Sequence, residues 1–214
     1  MKKASFAKLI TANFKTVSRT EEVQCGIVMF KEKHESGIRN SELTVEGYFT
    51  RKGIKVSSKG DIDALSSRGF GTRDNGNLIL TFYEALYLID KGTLLVRSKS
   101  KKEIGFRDIL SQFETSSENA WSQYLTYRDL RSRGYVVREG FGTGIAFRVY
   151  ERGEYSKDSA KYLVLSVQEG KPISVKDLTN ALTQSLSLKK ELVLAVMNRR
   201  GETVYYSVSQ LNLK

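Results

Sequence analysis

The sequence is poor in the residues that mark disulfides, metal sites and rigid linkers. It has one cysteine, Cys25, one histidine, His34, and one proline, Pro172, among 214 residues. A single cysteine cannot form an internal disulfide, and without a Cys/His cluster no metal or other cofactor is predicted. His34 lies in a polar segment, which is typical of a solvated surface residue. One cysteine without a secretory signal predicts the reducing cytoplasm.

Long apolar runs are also missing. No run of about 18 apolar residues occurs, so no membrane span is predicted. Three polar residues interrupt the apolar part of the basic N-terminal segment, which argues against a secretory signal: Lys8, Thr11 and Asn13. The hydrophobic fraction of 40% is nevertheless sufficient for a core in a chain of this length.

Acidic residues are outnumbered by basic ones. The chain has 35 Lys and Arg residues against 24 Asp and Glu residues, for a net charge of +11. In the C-terminal half the basic residues are interleaved with Tyr and Phe, which favours a folded surface that faces a nucleic acid. The candidates for contacts with nucleic-acid phosphates are Arg128, Arg131, Arg199 and Arg200. For Arg128 and Arg131, a solvated helix face is the alternative.

The first hundred residues have the pattern of a small α+β domain. Thr81 followed by Glu84 predicts a capping box for a helix that ends at Gly92. The predicted strands are 22–31, 43–50, 54–57, 77–81 and 93–98, and the predicted helices are 61–69 and 82–92. The charged segment 97–104 predicts a boundary between domains at 1–100 and 101–214.

The second half predicts a mixed sheet flanked by helices. The predicted helices are 106–113, 119–133 and 174–188, and the predicted strands are 135–139, 146–151, 161–168, 191–197 and 203–211. Strand 191–197 is apolar on both faces, which indicates either a central strand or a subunit interface. The glycine-rich segment 140–144 lies between two strands and predicts a hairpin turn rather than a phosphate cradle. The predicted fold class is therefore α+β, with two small mixed domains.

These elements carry a long, ordered pattern. In chain order, the pattern begins with RGFGTRDNGNLILTFYEALYLIDKG in the first half. The second half contributes YRDLRSRGYVVREGF, FRVYERG, KYLV, LVLAV and VYY. The pattern resembles the archaeal tRNA-splicing endonucleases, or tRNA-intron endonucleases, over most of residues 43–208. The resemblance implies an N-terminal α+β domain and a nuclease-like catalytic domain. It also implies metal-independent cleavage of precursor tRNA at the bulge-helix-bulge, which leaves 2′,3′-cyclic phosphate and 5′-hydroxyl ends.

Such cleavage needs a base, an acid and a cation that stabilises charge on the phosphate. The resemblance supplies Tyr, His and Lys for these tasks. By motif, the Tyr is Tyr150 and the Lys is Lys190, with Lys189 as a near alternative. The position of the His, three residues before the YLV segment, is occupied by Ser159. Serine does not titrate near neutrality, and losing such a group removes roughly 10²–10⁴-fold in rate.

Other positions also depart from the family pattern. Thr183 stands where an Arg often clamps a bulge base, and Gly142 and Ala146 replace the usual Lys and Asp. The turn 198–202 is basic, whereas the corresponding turn often carries acidic residues that dock on a neighbouring subunit. We therefore expect a non-catalytic structural subunit, partnered by a catalytic paralogue in a heterotetramer. The alternatives are an active subunit with a substitute acid such as Asp158, and a stand-alone RNA-binding protein.

Overall fold

The computed structural model describes residues 44–142, 144–155 and 159–210. Within these ranges the chain forms five helices and two mixed sheets, which confirms the predicted α+β class. The predicted strand 22–31 and His34 lie outside the described residues. No helix in the described ranges is long and apolar enough to cross a bilayer.

The first sheet and its helices are formed by residues 45–104. The elements are β1 Val45–Thr50, β2 Gly53–Val56, α1 Lys59–Ser67, β3 Thr72–Asp74, β4 Asn77–Leu80, α2 Phe82–Asp90, β5 Leu94–Arg97 and β6 Glu103–Ile104. The six strands lie in the order β3-β4-β2-β1-β5-β6, and β1 pairs antiparallel with β2 and parallel with β5. The sequence did not predict β3, whose three residues are all exposed and therefore show no alternation of burial.

The predicted domain boundary falls within this sheet. β5 pairs antiparallel with β6, with Val96 opposite Ile104, so residues 98–102 form a turn between two strands. Helix α3, Phe106–Ser116, follows directly and packs near α2 and α4. The charged segment 97–104 is thus part of the first sheet.

The N-terminus of α2 is capped as predicted. The Oε2 atom of Glu84, the third residue of the helix, accepts the N–H of the N-cap residue Thr81 at 2.9 Å. The other oxygen of Glu84 accepts the Gly71 N–H at 3.1 Å and lies 3.5 Å from Nη1 of Arg138, which is on strand β7 (Val136–Glu139) of the second sheet. Burial raises the pKa of the Glu84 carboxyl, while the Thr81 and Gly71 amides and Arg138 oppose that rise. Arg138 also donates to the Gly69 carbonyl at 3.2 Å and to Thr72 Oγ1 at 3.0 Å. The residue that caps α2 therefore also joins the two halves of the chain.

The second sheet has five strands in the order β11-β10-β9-β8-β7. β9 and β10 are parallel, and α5 connects them. The elements are α4 Ala120–Ser132, β7 Val136–Glu139, β8 Phe147–Tyr150, β9 Tyr162–Gln168, α5 Val175–Ser187, β10 Glu191–Met197 and β11 Thr203–Val208. β10 lies between β9 and β11, so its two apolar faces reflect a central position in the sheet.

A single apolar core extends through both halves of the chain. At its centre the Tyr83 ring of α2 lies 4.9 Å from Tyr127 of α4 and 5.2 Å, edge-on, from Phe147 of β8. A second cluster fills the space under α5: Ile145, Leu163, Leu165, Ala181 and Leu192. Strands β9 and β10 contribute residues to both clusters and are therefore packed on both faces, while β8 packs its buried residues Phe147 and Val149 into the first core.

Candidate active site

Three strand ends meet at one end of the second sheet. The Lys161 N–H donates to the Val149 carbonyl at 3.0 Å, and the Glu191 N–H donates to the Lys161 carbonyl at 3.1 Å. These bonds place the end of β8 beside the starts of β9 and β10. Each of the three predicted catalytic positions lies at one of these strand ends: Tyr150, Ser159 and Lys190.

The side chain of Lys190 points to the position predicted for the family histidine. Its Nζ donates to Ser159 Oγ at 3.2 Å and to the carbonyl of Ala160. Lys190 is half-buried, whereas Ser159 is exposed. The structure thus places Lys190 against Ser159, while the alternative, Lys189, has an exposed side chain.

The backbone of Lys190 is held by the end of α5. The Lys190 N–H donates to the Ser185 carbonyl at 2.9 Å, and the Lys189 N–H donates to the Leu186 carbonyl at 3.0 Å. This pair of bonds is the Schellman motif, in which the residue after the C-cap has a left-handed backbone. Lys189 occupies that position with φ of 55°, where glycine is the common choice. The ammonium of Lys190 is therefore positioned by both its backbone and its side-chain contacts.

The Tyr150 ring is half-buried and packs edge-on against Tyr155, with centroids 5.0 Å apart and planes at 86°. Tyr155 in turn lies beside Gly69, which precedes β3 in the first sheet. A Cβ on Gly69 would come within 2.5 Å of Val136 Cγ1 and 3.3 Å of the Tyr155 ring, and φ of Gly69 is 74°. Gly69 is thus required for the close approach of the first sheet to the Tyr150 end of the site.

Glu151 is a carboxylate next to the site, but it is held in its ionised form. Lys161 Nζ lies 2.5 Å from Glu151 Oε1, and the Tyr162 hydroxyl donates to the same oxygen at 3.1 Å. These hydrogen bonds, that from Lys161 first, lower the pKa of Glu151. An ionised carboxylate accepts a proton rather than donating one, so Glu151 is not suited to act as a general acid. Asp158, the predicted substitute, lies outside the described residues.

The sequence analysis missed the Glu151–Lys161 pair. Glu151 directly follows β8 and Lys161 directly precedes β9, and the two are close because Val149 is opposite Tyr162 in the β8–β9 pairing. Opposite charges ten residues apart carry no signal unless the register of that pairing is known. Because Glu151 balances the charge of Lys161, Lys190 is the cation that the described part of the chain leaves for a phosphate at these strand ends.

The three other positions that depart from the family pattern carry no charged side chain. Thr183 is exposed on α5, and its hydroxyl donates to the Thr179 carbonyl of its own helix at 2.9 Å. Gly142, with φ of 73°, lies against Gln184, since a Cβ there would come within 2.6 Å of its amide nitrogen. The Ala146 N–H pairs with the Val164 carbonyl at 2.9 Å. In the structure these positions serve packing and hydrogen bonding.

Two groups of candidate RNA-binding arginines meet at the other end of the second sheet. Arg128 is exposed on α4 and lies 5.7 Å from the centre of the Tyr124 ring. Arg199 and Arg200 are exposed in the β10–β11 turn, where Asn198 Oδ1 accepts the Arg200 N–H at 2.9 Å. A cleft of about 590 Å³ separates α4 from this turn, and its charged lining is balanced: Lys91, Arg128 and Arg133 against Asp90, Asp129 and Glu202.

This end of the sheet is far from Lys190. The seven residues of β10 separate Lys190 from the β10–β11 turn. At about 3.3 Å per residue they span about 23 Å. Lys190 and the turn arginines therefore cannot contact the same phosphate.

Arg131 has contacts within the chain. Its guanidinium lies 3.9 Å from the centre of the Phe70 ring, and Nη2 donates to the Arg68 carbonyl at 3.1 Å. The residue is half-buried. These contacts join α4 to the α1–β3 turn, so we expect Arg131 to contribute less to RNA binding than Arg128.

Two family descriptions match the chain. Residues 45–110 match the N-terminal domain of tRNA intron endonuclease, and residues 120–206 match its catalytic C-terminal domain. Curated relatives include the tRNA-splicing endonuclease of Methanococcus maripaludis, which is 32% identical over 170 residues covering 79% of this chain and 96% of the relative. The tRNA-splicing endonuclease of Methanococcus vannielii is 33% identical over the same shares of the two chains. That of Pyrococcus furiosus is 35% identical over 142 residues, which cover 66% of this chain and 81% of the relative.

Proposed function

Because this chain belongs to the tRNA intron endonuclease family, we propose that it is a structural subunit of an enzyme that cuts precursor tRNA at exon–intron junctions. The observation that carries the proposal is the contact between Lys190 and Ser159 at 3.2 Å. The cation of the site is in place, and a hydroxyl stands where the reaction needs a titratable acid.

The chemistry explains why this one position matters. Attack of the 2′-hydroxyl on the phosphate needs a base, which Tyr150 would supply, and Lys190 would stabilise the charge on the phosphate oxygens. The 5′-oxygen leaves well only if it is protonated, and the products are then a 2′,3′-cyclic phosphate and a 5′-hydroxyl. Ser159 has no proton to give near neutral pH, and Glu151 is ionised. In this scheme the base, the acid and the cation are all protein side chains, so the proposed reaction uses no metal.

Several independent positions support a structural role. Thr183, Gly142 and Ala146 lack the charged groups that the family pattern has, in addition to the change at Ser159. The fold around them is intact, since the strands that meet at the site are buried and paired. An intact framework with several altered site residues suits a chain that positions a catalytic paralogue in a heterotetramer. We place this assembly in the cytoplasm, as suits a chain with a single cysteine.

Contacts with precursor tRNA would use the exposed arginines. Arg199 and Arg200 lie about 23 Å from Lys190, and Arg128 borders the cleft beside their turn, so these arginines would hold a part of the RNA distant from this site, or a neighbouring subunit. The basic β10–β11 turn fits either an RNA backbone or an acidic surface on the paralogue. In both cases its role is to position the substrate rather than to cut it.

The test compares the isolated chain with the complex that co-purifies with it. Each would be incubated with a bulge-helix-bulge RNA in the presence of EDTA, and cleavage products would be resolved by size and by end group. We expect no specific cleavage by the isolated chain and metal-independent cleavage by the complex. Efficient specific cleavage by the chain alone would refute the structural role.

A second candidate is an active subunit, which the retained Tyr150 and the Lys190–Ser159 hydrogen bond favour. In this case Ser159 would pass a proton from the Lys190 ammonium to the leaving oxygen. Ser159→Ala would then lower the cleavage rate of the complex by about 10²-fold. Under the structural role the same variant leaves the rate of the complex unchanged.

A further inference from the structure

Two turns present five cations at one end of the first sheet. β1 and β5 are parallel neighbours, with Tyr48 opposite Arg97, so both strands end on the same side of the sheet. The turn after β1 and the turn after β5 therefore lie next to each other. The cations are all exposed: Arg51, Lys52, Lys99, Lys101 and Lys102. We call this surface the two-turn basic end.

Both turns have a fixed shape. In the β5–β6 turn the Ser98 N–H donates to the Lys102 carbonyl at 2.8 Å, and the Lys101 N–H donates to the Ser98 carbonyl at 2.9 Å. In the β1–β2 turn Thr50 Oγ1 donates to the Gly53 carbonyl at 2.7 Å. Because the backbone is already ordered, these cations can bind a ligand without the entropic penalty of ordering a loop.

The charge of this surface is not neutralised within the described part of the chain. None of the five cations lies within 4.0 Å of a carboxylate there, whereas the nearby Glu46 is paired with Arg97 at 3.1 Å. Glu103 is the one carboxylate in segments 50–53 and 97–104. A compact set of unpaired cations of this kind attracts a polyanion.

The composition of the turns identifies the kind of polyanion. Segments 51–52 and 98–102 contain only Arg, Lys and Ser, so they offer charge and hydroxyl groups and no apolar or aromatic side chain. Such groups bind phosphate and sugar oxygens without reading bases. These two segments therefore offer no ring for base stacking and no apolar side chain for insertion into a lipid surface, and the neighbouring exposed ring, Tyr48, lies on β1 opposite Arg97. An RNA phosphate backbone fits this chemistry best.

The two-turn basic end also lies on a path from the candidate active site. Gly69, which approaches Tyr155 beside Tyr150, leads into β3, and β3 pairs with β4 so that Thr72 lies opposite Ile79. The Thr72 end of β3 is at the same end of the sheet as the two turns, because the strand pairings align Thr72 with Ile79, Lys55 and Tyr48 in turn. Four strand spacings separate β3 from β5, or about 19 Å. One RNA can therefore cross this side of the sheet between the two places.

From these observations we propose that the two-turn basic end binds the phosphate backbone of the precursor RNA, at a place separate from the cleaved bond. The proposal rests on the RNA partner given under the proposed function, and it does not depend on which subunit cuts. It assigns a binding role to a segment, 97–104, whose charge pattern first indicated only a domain boundary.

The test is the salt dependence of RNA binding by the full chain. A labelled bulge-helix-bulge RNA with a long duplex arm would be titrated at several salt concentrations. Two double variants remove charge from the surface: Arg51→Gln with Lys52→Gln, and Lys99→Gln with Lys102→Gln. The matched control, Lys59→Gln with Lys176→Gln, removes two exposed charges on α1 and α5, outside both turns. All replaced residues are exposed, and unfolding curves check that the variants remain folded.

We expect each turn variant to weaken binding at fixed salt. It should also reduce the slope of log K against log salt by about 0.9 for every phosphate that the variant no longer neutralises. The control should leave that slope unchanged. Equal effects of the turn and control variants would overturn the proposal, because they would reflect net charge alone. Unchanged RNA binding with loss of binding to phosphatidylserine vesicles would overturn it in favour of a membrane surface.

The outcome is separable from that of the proposed function. A reduced salt slope in the turn variants, with no cleavage by the co-purified complex, would support this surface and refute the splicing role. Cleavage by the complex, with unchanged salt slopes in the turn variants, would support the splicing role and refute RNA binding at the two-turn basic end.

Discussion

The Lys190 ammonium donates to Ser159 Oγ at 3.2 Å, at the end of the sheet where β8, β9 and β10 meet. Under the proposed function, Lys190 is the cation of the site and Ser159 occupies the position of the titratable acid.

Ser159→His should restore an acid to the site. Ser159 is exposed, so an imidazole fits without displacing core residues. We expect metal-independent cleavage of a bulge-helix-bulge RNA by the variant chain to exceed that of the parent by about 10²-fold or more, because general acid catalysis contributes that much. Ser159→Asn is the control of similar polarity that does not titrate. Equal rates for the His and Asn variants would contradict the assignment of this position.

Lys189→Gly should stabilise the fold. Lys189 has φ of 55°, a backbone conformation that glycine adopts without the steric penalty of a Cβ. Glycine also increases the entropy of the unfolded chain, so the net gain in the free energy of unfolding should be small, at most about 1 kcal/mol. Urea unfolding measures it, with Lys189→Ala as the control that removes the side chain and keeps the Cβ. A loss of stability in the glycine variant larger than in the alanine variant would show that the left-handed backbone is unimportant here.

Glu84 and Arg138 should be strongly coupled. Their side chains are 3% and 14% exposed, and removing one member of a buried pair leaves an uncompensated charge. Glu84→Gln should therefore lower the free energy of unfolding by about 3 kcal/mol. In a double-mutant cycle with Arg138→Met, the two single losses should add to more than the loss in the double variant. Additive losses would indicate that the two side chains act independently.

Tyr205 should make the fold sensitive to high pH. Burial, and then a hydrogen bond to Asp129 at 2.7 Å, raise the pKa of its hydroxyl. Above about pH 10 the unfolded chain loses this proton while the folded chain keeps it, so stability falls as pH rises. The contribution of one tyrosine is about 1.4 kcal/mol per pH unit. Between pH 10 and 11, the free energy of unfolding of Tyr205→Phe should therefore fall by up to about 1.4 kcal/mol less than that of the parent protein. The difference between the two proteins at pH 7 serves as the reference. An unchanged decline would contradict the raised pKa.

Ordered motifs in the sequence mark the three candidate site positions, and their grouping at one end of the second sheet is what the structure adds. Tyr150, Ser159 and Lys190 were identified from their positions relative to the motifs FRVY, KYLV and LVLAV. The structure brings these three residues to adjacent strand ends. Thr81 and Glu84 likewise predicted the start of α2, because a capping box is a local pattern.

What the sequence did not predict depends on contacts between distant residues. The Glu84 carboxylate also faces Arg138, 54 positions later, and no local pattern signals such a pair. β3 and β6 are short and mostly exposed, so they lack the alternation that identifies a strand. Arg131 has the composition of a surface residue, and only the packing of α4 against the α1–β3 turn shows that its guanidinium covers Phe70.

The central claim is that this chain does not carry out the cleavage, and one measurement tests it most directly. Tyr150→Phe removes only the hydroxyl that would act as base, and the ring contact with Tyr155 can remain. The single-turnover cleavage rate of the co-purified complex on a bulge-helix-bulge RNA would be compared with and without this change. If the chain is structural, the two rates will be equal; a fall of about 10²-fold or more would show that it supplies a catalytic base.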